Sequence, residues 1–440
     1  MSRFFFALKI SGVIGLVTFG AGLGWAAKTP PKPLPIKLTA KITNRFNWDT
    51  KKDNIYEDTS RTTMEINAQL KYLPNPNVQV VAGEWTADKK VRPYNIYLNL
   101  AYEHVNFRLG NQIVRWGKAD EISPLDVVNP EDLSLGFTRT RADRKIPVPM
   151  ANLEFLSDVI SLQGVYIPYF QKSIFHYYGD DWAYFGHLEK KYGGSINIVE
   201  EEPAQTLREA NYGGRLSGTI GRLDLALIYL NHRTDTPALM TFPLPPGWPP
   251  PPPGHEASVE DLVIASKVLG QPLKFHYPRE ELYGLEFETT AGSFGFRGDA
   301  SYVSSRSFVT SDLQEIGKPV ITGVVGVDYN GAGGSYLNVS ISQSRIRDYD
   351  PALGPTTKEK TSILSGQLSL ELFSGNIKLG YLGFTNLTDK SFYQNPKVNI
   401  SYIPNVGIEA GLEVYGGSPS TQIGFFDPND QVYLNLSYFF

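Results

Sequence analysis

The sequence predicts an all-β protein, a single transmembrane, antiparallel, up-and-down β-barrel of about eighteen strands, with sixteen as the alternative count. Three observations lead to this prediction. Apolar residues recur at every second position in segment after segment, short and long links between these segments alternate, and the chain ends in an apolar segment that closes on Phe440. Period-two alternation indicates strands with one face in an apolar medium and the other in a more polar one.

The first alternating segment illustrates the pattern. Its apolar face consists of Ile36, Leu38, Ala40 and Ile42, and its polar face consists of Lys37, Thr39, Lys41 and Thr43. Similar segments follow around Met64, Leu223, Leu364 and Val406. Each segment has about the length that a tilted strand needs to cross a bilayer.

The links between the segments differ in length in a regular way. Short turns rich in Gly, Pro and Asn are predicted at 74–77, 221–222, 291–293, 331–334, 374–376 and 404–405. Longer links are predicted at 49–61, 86–93, 116–149, 170–207, 234–280, 306–317, 347–360 and 417–430. Barrels of this class place short turns in the periplasm and long loops outside the cell. We therefore expect the long links to be extracellular.

The longest external link contains two further signals. Residues 243–253 are proline-rich, which favours an extended conformation, and Ser258 starts a capping-box sequence that predicts a short helix to about Leu269, stopped by Gly270. The link could form a structured lid or a mobile, solvated loop.

The two ends of the sequence predict export and membrane assembly. Residues 1–26 have the basic start, short apolar stretch and small-residue cleavage pattern of a secretory signal peptide; the alternative is an N-terminal membrane anchor. We expect residues 27–35 to be a periplasmic segment and 36–440 to be the barrel, located in the outer membrane. The last strand resembles the recognition signal of the barrel-assembly machinery, and the predicted signal residues are Val432, Leu434, Leu436, Tyr438 and Phe440.

Composition excludes several classes of protein. After residue 26 no run of eighteen apolar residues exists, so a helical membrane protein is excluded. The chain has no cysteine, which rules out disulfides, thiolate metal sites and cysteine catalysis. A net charge of −4 gives no indication of nucleic-acid binding. We expect no cofactor and no metal. The expected partners are outer-membrane lipids and lipopolysaccharide, the barrel-assembly machinery and periplasmic transport proteins, and the oligomeric state is left open.

The most unusual segment extends from Arg108 through Pro130 to Asp132. It contains a Gly-x-Gln strand, then Trp-Gly-Lys, Asp and Asn-Pro-x-Asp; the matching residues are Gly110, Gln112, Trp116, Gly117, Lys118, Asp126, Asn129, Pro130 and Asp132. This arrangement resembles a poorly characterised, porin-like family of bacterial outer-membrane barrels, distantly similar to alginate-exporter-like barrels. The resemblance implies an outer-membrane barrel and makes a transport role the expected function, without fixing a cargo.

The link at 116–149 is constrained by prolines and by Asp and Asn side chains that can bond to the backbone. We predict that it folds into the barrel as a constriction, with basic and acidic groups facing each other; alternatively, these charges only hold the loop against the wall. The candidate pore residues are Arg108, Gln112, Trp116, Lys118, Asp120, Glu121, Asp126, Asn129, Asp132, Arg139, Arg141 and Arg144.

Charges predicted to face the lumen could act in two ways. Basic residues prevail in the first half of the chain and acidic residues in the second, which could create a transverse field that orients dipolar solutes. The alternative is ordinary pairing of opposite charges inside the lumen. The sequence does not decide between them.

Three functions compete on sequence alone. A channel for small polar or amphiphilic solutes is the leading hypothesis. The second is a secretion or lipid-transfer conduit that works with periplasmic and inner-membrane pump partners. The third, an outer-membrane hydrolase, has only His104 and His232 as candidate residues, and no catalytic motif accompanies them. We therefore expect no enzymatic activity.

Overall fold

The computed structural model of the protein describes residues 35–51, 60–87, 90–134, 136–179, 181–194, 196–247, 259–353 and 357–440. The chain divides into two units, Met1–Ile36 and Lys37–Phe440. The predicted signal peptide lies outside the described residues, as do Trp248 and Ser258. In the described part, no helix combines the length and the apolar character that a membrane crossing requires.

Eighteen antiparallel strands form one closed sheet, as the alternating pattern predicts. Consecutive barrel strands pair with each other, and the last strand pairs with the first from Lys41–Phe439 to Asp49–Gln431. The barrel strands are β1 (Ile36–Asp49), β2 (Ser60–Asn75), β3 (Val78–Ala87), β4 (Lys90–Ala101), β5 (Val105–Gln112), β6 (Val148–Leu156), β7 (Ile160–Ile167), β9 (Asn211–Ile220), β10 (Leu223–Arg233), β13 (Arg279–Ala291), β14 (Phe294–Val309), β15 (Glu315–Asn330), β16 (Tyr336–Ile346), β17 (Lys360–Leu372), β18 (Ile377–Asn386), β19 (Phe392–Ile400), β20 (Val406–Gly416) and β21 (Gln431–Phe439).

The two rims of the barrel differ as predicted. At one rim every link is a turn of two to five residues; the first of these turns is 76–77 and the last is 401–405. The longest connections, 113–147, 168–210 and 234–278, all lie at the other rim. We call these the short-turn rim and the long-loop rim.

The prediction of a long link is wrong at two places. At 86–93 the strands continue, because Thr86 pairs with Val91 and only residues 88–89 separate β3 from β4. At 306–317 strand β14 continues through a bulge, so that only 310–314 remain as a link. Polar residues at the solvated ends of strands give the same sequence signal as a loop.

The two faces of the barrel wall have opposite character. Large apolar side chains lie exposed on the outside, whereas polar side chains such as Asn338 and Ser340 are buried on the inside. The final strand follows this rule: Val432, Leu436 and Tyr438 are exposed on the outer face, and Tyr433 is buried on the inner face. This arrangement is typical of a barrel that spans a bilayer.

Two long connections fold together into a cap at the long-loop rim. They contain a three-stranded sheet of β8 (Ile198–Glu201), β11 (Ala238–Leu239) and β12 (Leu273–His276), and the helices α2 (Gly186–Tyr192) and α3 (Val259–Leu269). The short helix α1 (Arg141–Arg144) lies earlier, in the connection 113–147. Helix α3 is the helix predicted from sequence, and Gly270 follows it with a left-handed φ of 62°. An apolar cluster unites these elements, so the described part of the link is structured.

Candidate functional site

The connection 113–147, which we call the inner loop, starts from a strand end that requires glycine. Gly110 has φ 130° and lies so close to β4 that a Cβ atom would collide with the carbonyl oxygen of Ile96. Gly117 has φ 92°, and a Cβ there would collide with Ser123 Oγ. The sequence motif therefore has glycine at these two positions because the backbone conformation and the close neighbours leave no room for a side chain.

Asn129, another motif residue, holds the two ends of the inner loop together. Its Oδ1 accepts a hydrogen bond from the Val114 amide at 2.8 Å. Its Nδ2 donates to the carbonyl oxygens of Gln112 at 3.0 Å and Ile146 at 2.8 Å. Asn129 is completely buried. The side chain thus replaces backbone pairing where the chain leaves β5 and returns to β6.

One side of the inner loop is fixed to the wall at β13 and β14. Asp299 accepts hydrogen bonds from the amides of Lys118 and Ala119, each at 2.9 Å, and from Ser123 Oγ at 2.6 Å. Glu286 accepts one from the Gly117 amide at 2.8 Å. Two wall carboxylates therefore bind a run of backbone amides, and such charge-assisted hydrogen bonds are among the stronger ones.

An apolar cluster lies beneath this contact. Leu125 of the inner loop is completely buried and packs against Gly284 of β13, where a Cβ would lie 2.5 Å from Leu125 Cδ2. The cluster consists of Val114, Trp116, Leu125, Val128, Val148, Met150, Val165, Ile167, Ile228, Leu230, Leu282 and Val303. The inner face of the wall from β6 to β14 therefore carries an apolar patch beside the carboxylates of Glu286 and Asp299, whereas a polar lumen is expected of a channel. The inner loop covers this patch.

The other side of the inner loop reaches the opposite wall. Arg139 lies 3.4 Å from Glu65 of β2, and Arg45 of β1 donates a hydrogen bond to the Thr138 carbonyl at 3.3 Å. Phe137 packs against Phe384 and Tyr393, with ring centroids 5.4 and 6.1 Å apart. Because β13 and β14 lie across the sheet from β1, β2 and β19, the inner loop crosses the lumen.

An ion cluster stabilises the interior of the inner loop. Glu131 contacts Arg141 at 2.9 Å, Arg144 at 3.0 Å and Lys145 at 3.1 Å, and Lys145 also contacts Asp126 at 3.3 Å. Burial alone would raise the pKa of Glu131, but the neighbouring charges of Lys145, Arg141 and Arg144 outweigh burial and lower that pKa to about 2. Glu131 is therefore ionised at neutral pH.

This cluster corrects one expectation. The sequence predicted that Arg139, Arg141 and Arg144 face acidic groups across an opening, but Arg141 and Arg144 pair with carboxylates inside the loop. Glu121 also faces inward, where its carboxylate accepts a hydrogen bond from the Arg141 amide at 2.9 Å. Burial raises the pKa of Glu121. Of the three arginines, only Arg139 contacts the opposite wall, at Glu65 of β2.

The remaining predicted residues occupy several places. Gln112 donates a hydrogen bond to the Met150 carbonyl at 3.1 Å, and Arg108 donates to Asn99 Oδ1 at 3.3 Å. Trp116 is buried and donates a hydrogen bond to Gln163 Oε1 of β7 at 2.8 Å, so it contributes to the contact between the inner loop and the wall. Two further residues contact the wall: Lys118 pairs with Glu288 at 2.6 Å, and Asp120 pairs with Arg297 at 2.9 Å. Asp132 stays within the loop, where it accepts a hydrogen bond from Ser134 Oγ at 2.6 Å.

A polar cavity lies between the inner loop and the wall formed by β1, β2 and β18 to β21. Its volume is about 340 Å³. Four cations line it, Lys41, Arg45, Arg139 and Lys397, together with three carboxylates, Glu65, Asp143 and Glu409. Behind Arg45 lies a fourth carboxylate, Glu413, at 2.8 Å. The cavity lining and Glu413 together are therefore balanced in charge.

Opposite charges in the lumen pair rather than segregate. Lys397 lies 3.5 Å from Glu409, and Arg297 lies 2.5 Å from Asp328. Arg215 pairs with Glu286, so one carboxylate binds both the wall and the inner loop. Around the cavity, this geometry favours ordinary lumen ion pairing over a transverse field.

Neither candidate catalytic histidine forms a hydrogen bond with a serine hydroxyl or a carboxylate among the described residues. His232 is buried, and its Nδ1 lies 3.0 Å from the Arg233 carbonyl, while its Nε2 has no hydrogen-bond partner among the described residues. His104 is mostly exposed beside Glu103. In the described ranges, no group of His, Asp and Glu residues could hold a metal ion.

A closed eighteen-stranded barrel with an apolar exterior, crossed inside by a loop, defines a porin-like β-barrel. The chain belongs to the family described as Protein of unknown function (DUF1302), whose family model matches residues 43–429. No curated protein matches the chain in sequence.

Several solved outer-membrane barrels are similar in structure. The outer membrane channel DcaP of Acinetobacter baumannii is 12% identical to this chain, with a TM-score of 0.44. The match covers 94% of this chain and 100% of the DcaP chain. OmpF of Salmonella typhi, in complex with daunomycin, is 11% identical with a TM-score of 0.43, covering 92% and 97%. A mutant of the Rh. blastica porin is 8% identical with a TM-score of 0.40, covering 92% and 100%.

Proposed function

We propose that the protein is an outer-membrane channel for small polar or amphiphilic solutes, with a lumen narrowed by the inner loop. The observation that carries the proposal is the polar cavity of about 340 Å³ between the inner loop and the β1–β2 and β18–β21 wall. The inner loop covers the apolar patch of the wall, and the cavity on its other side is lined by charged and polar side chains that solutes could contact.

The balanced charges make the proposal more specific. Equal numbers of cations and carboxylates in and behind the lining neither repel nor strongly attract a net charge, so we expect weak ion selectivity and passage of neutral or zwitterionic solutes. Hydroxyl and amide groups that line the cavity, such as Thr43 and Asn67, can bond to such solutes.

Export and location belong to the same proposal. A cleaved leader over residues 1–26 would deliver the chain to the periplasm, and the barrel-assembly machinery would insert it through the last strand. The apolar exterior supports insertion into a bilayer. In that orientation the long-loop rim faces the outside of the cell.

Planar-bilayer recording of the purified protein tests the channel. We expect steady conductance and a reversal potential near zero in a KCl gradient. Glu65→Gln with Glu409→Gln should shift the selectivity towards anions, and Lys41→Gln with Lys397→Gln towards cations. Glu359→Gln is the matched control, because Glu359 lies at the long-loop rim and does not line the cavity.

Liposome swelling with sugars, organic acids and aromatic compounds would then identify the solute class. Absence of conductance, together with transfer of lipid between membranes, would contradict the proposal and favour the secretion or lipid-transfer conduit. Equal reversal potentials for the two charge variants would place the conducting route elsewhere in the barrel.

A further inference from the structure

A group of exposed cations lies on the outer face of the barrel at the long-loop rim. Arg345 is the penultimate residue of β16, and Lys360 is the first residue of β17. The two residues are direct cross-strand partners. Arg347 and Lys358 are exposed just beyond the ends of the same strands. We call these four residues the rim cation patch.

The alternation of side chains along β16 and β17 shows that Arg345 and Lys360 point to the outside of the barrel. Ser342 and Ile346 are buried towards the lumen, and Ile341 is 45% exposed on the outside. Arg345 differs from Ile341 by four residues and therefore shares its outward face. Leu364, 40% exposed, lies four residues after Lys360 on the same face of β17.

The patch lies above an apolar band, and the polar cross-strand pair Gln343 and Ser362 separates the two. Below that pair, the outward side chains are apolar apart from Gly366: Leu337, Val339 and Ile341 on β16, and Leu364, Leu368, Leu370 and Leu372 on β17. The β17 part, 364–372, has about the length that a tilted strand needs to span the hydrocarbon layer. The cations above it therefore lie at the level of the lipid headgroups.

The charges of the patch are only partly compensated. Arg345 contacts Glu359 at 2.9 Å, but Arg347, Lys358 and Lys360 have no carboxylate partner among the described residues. Asp348 and Asp350 follow in the connection above, where Asp350 accepts a hydrogen bond from the Ala352 amide at 2.9 Å. Like charges directly opposite on neighbouring strands are destabilising without a counter-ion.

We propose that the rim cation patch binds the phosphate group of an anionic, phosphorylated lipid of the surrounding leaflet. The guanidinium of Arg345 and the ammonium of Lys360 would hold the phosphate, since both are donors that suit phosphate oxygens. The acyl chains would lie along the apolar band below. This inference rests on the proposed outer-membrane location, in which the long-loop rim meets a leaflet of phosphorylated glycolipid.

Native mass spectrometry of the detergent-purified full chain, titrated with diphosphoryl lipid A, tests this site. We expect wild-type protein to retain the lipid and Arg345→Gln with Lys360→Gln to bind it at least about tenfold more weakly. Lys37→Gln with Lys71→Gln, which removes two cations from the inner face, is the matched control and should bind like wild type. The heat-dependent shift of the folded barrel on gels verifies that each variant is folded.

Two results would overturn the inference. Equal lipid binding by wild type and by the Arg345 and Lys360 variant would exclude the patch. Displacement of the lipid by an equal concentration of inorganic phosphate would identify a site for free anions instead. Conductance of the same preparations separates this test from the channel proposal: a silent barrel that still binds lipid through the patch would contradict the channel alone.

Discussion

Removing the side chain of Leu125 should release the inner loop from the wall. Leu125 is fully buried against Gly284 in the apolar cluster, and replacing such a leucine by alanine costs about 2–5 kcal/mol. A loss of about 3 kcal/mol changes an equilibrium by more than about a hundredfold. We expect Leu125→Ala to increase the undocked fraction of the inner loop by that factor.

Cysteine labelling measures the undocked fraction, because the chain has no cysteine of its own. Ala119→Cys, placed at a buried position of the inner loop beside Asp299, reports each opening through its reaction with a maleimide. Labelling should accelerate in the Leu125→Ala background and in Gly284→Leu, which fills the same space from the wall. Leu162→Ala, on the exposed outer face, is the control. Equal labelling rates in all four backgrounds would refute the docking argument.

Three other predictions address the ion cluster, the loop charges and assembly. The pKa of Glu131 is lowered to about 2 from 4.5, so its ion pairs stabilise the docked loop fully above about pH 4.5, and this contribution is lost as the pH falls towards 2. The melting temperature should therefore fall in that range, and it should fall less steeply in Glu131→Gln. Arg139→Gln alone should shift the reversal potential towards cations, whereas Arg141→Gln with Arg144→Gln should lower the melting temperature and leave ion preference unchanged; the opposite assignment would contradict the loop geometry. Deletion of Phe440 should reduce membrane insertion and leave export intact, as measured by fractionation, and normal insertion would exclude the assembly signal.

Local patterns in the sequence were sufficient to predict the barrel. Alternation along a strand is visible within each segment, and it correctly assigned Leu38 to the apolar outer face. Helix α3 and its stop at Gly270 were predicted for the same reason, since capping and turn signals act over a few residues.

The docking of the inner loop could not be predicted in the same way. Its anchors Glu286 and Asp299 lie about 170 to 180 residues away from Gly117 and Lys118, and no local pattern connects them. The apolar inner face around Ile228 and Leu282 also breaks the rule that lumen positions are polar, because the loop rather than water covers them. The sequence therefore predicted that residues 116–149 fold into the barrel, but it misjudged the partners of Arg141 and Arg144, which pair with carboxylates inside the loop.

Single-channel conductance with and without the inner loop tests the central claim most directly. Residues 118–140 would be replaced by a short Gly-Ser linker, and the folded barrel would be recorded beside wild type in the same lipid and salt. If solutes pass beside a docked loop that narrows the lumen, wild type conducts steadily and the shortened chain conducts severalfold more. Identical conductance in the two proteins, or none in either, would contradict the account.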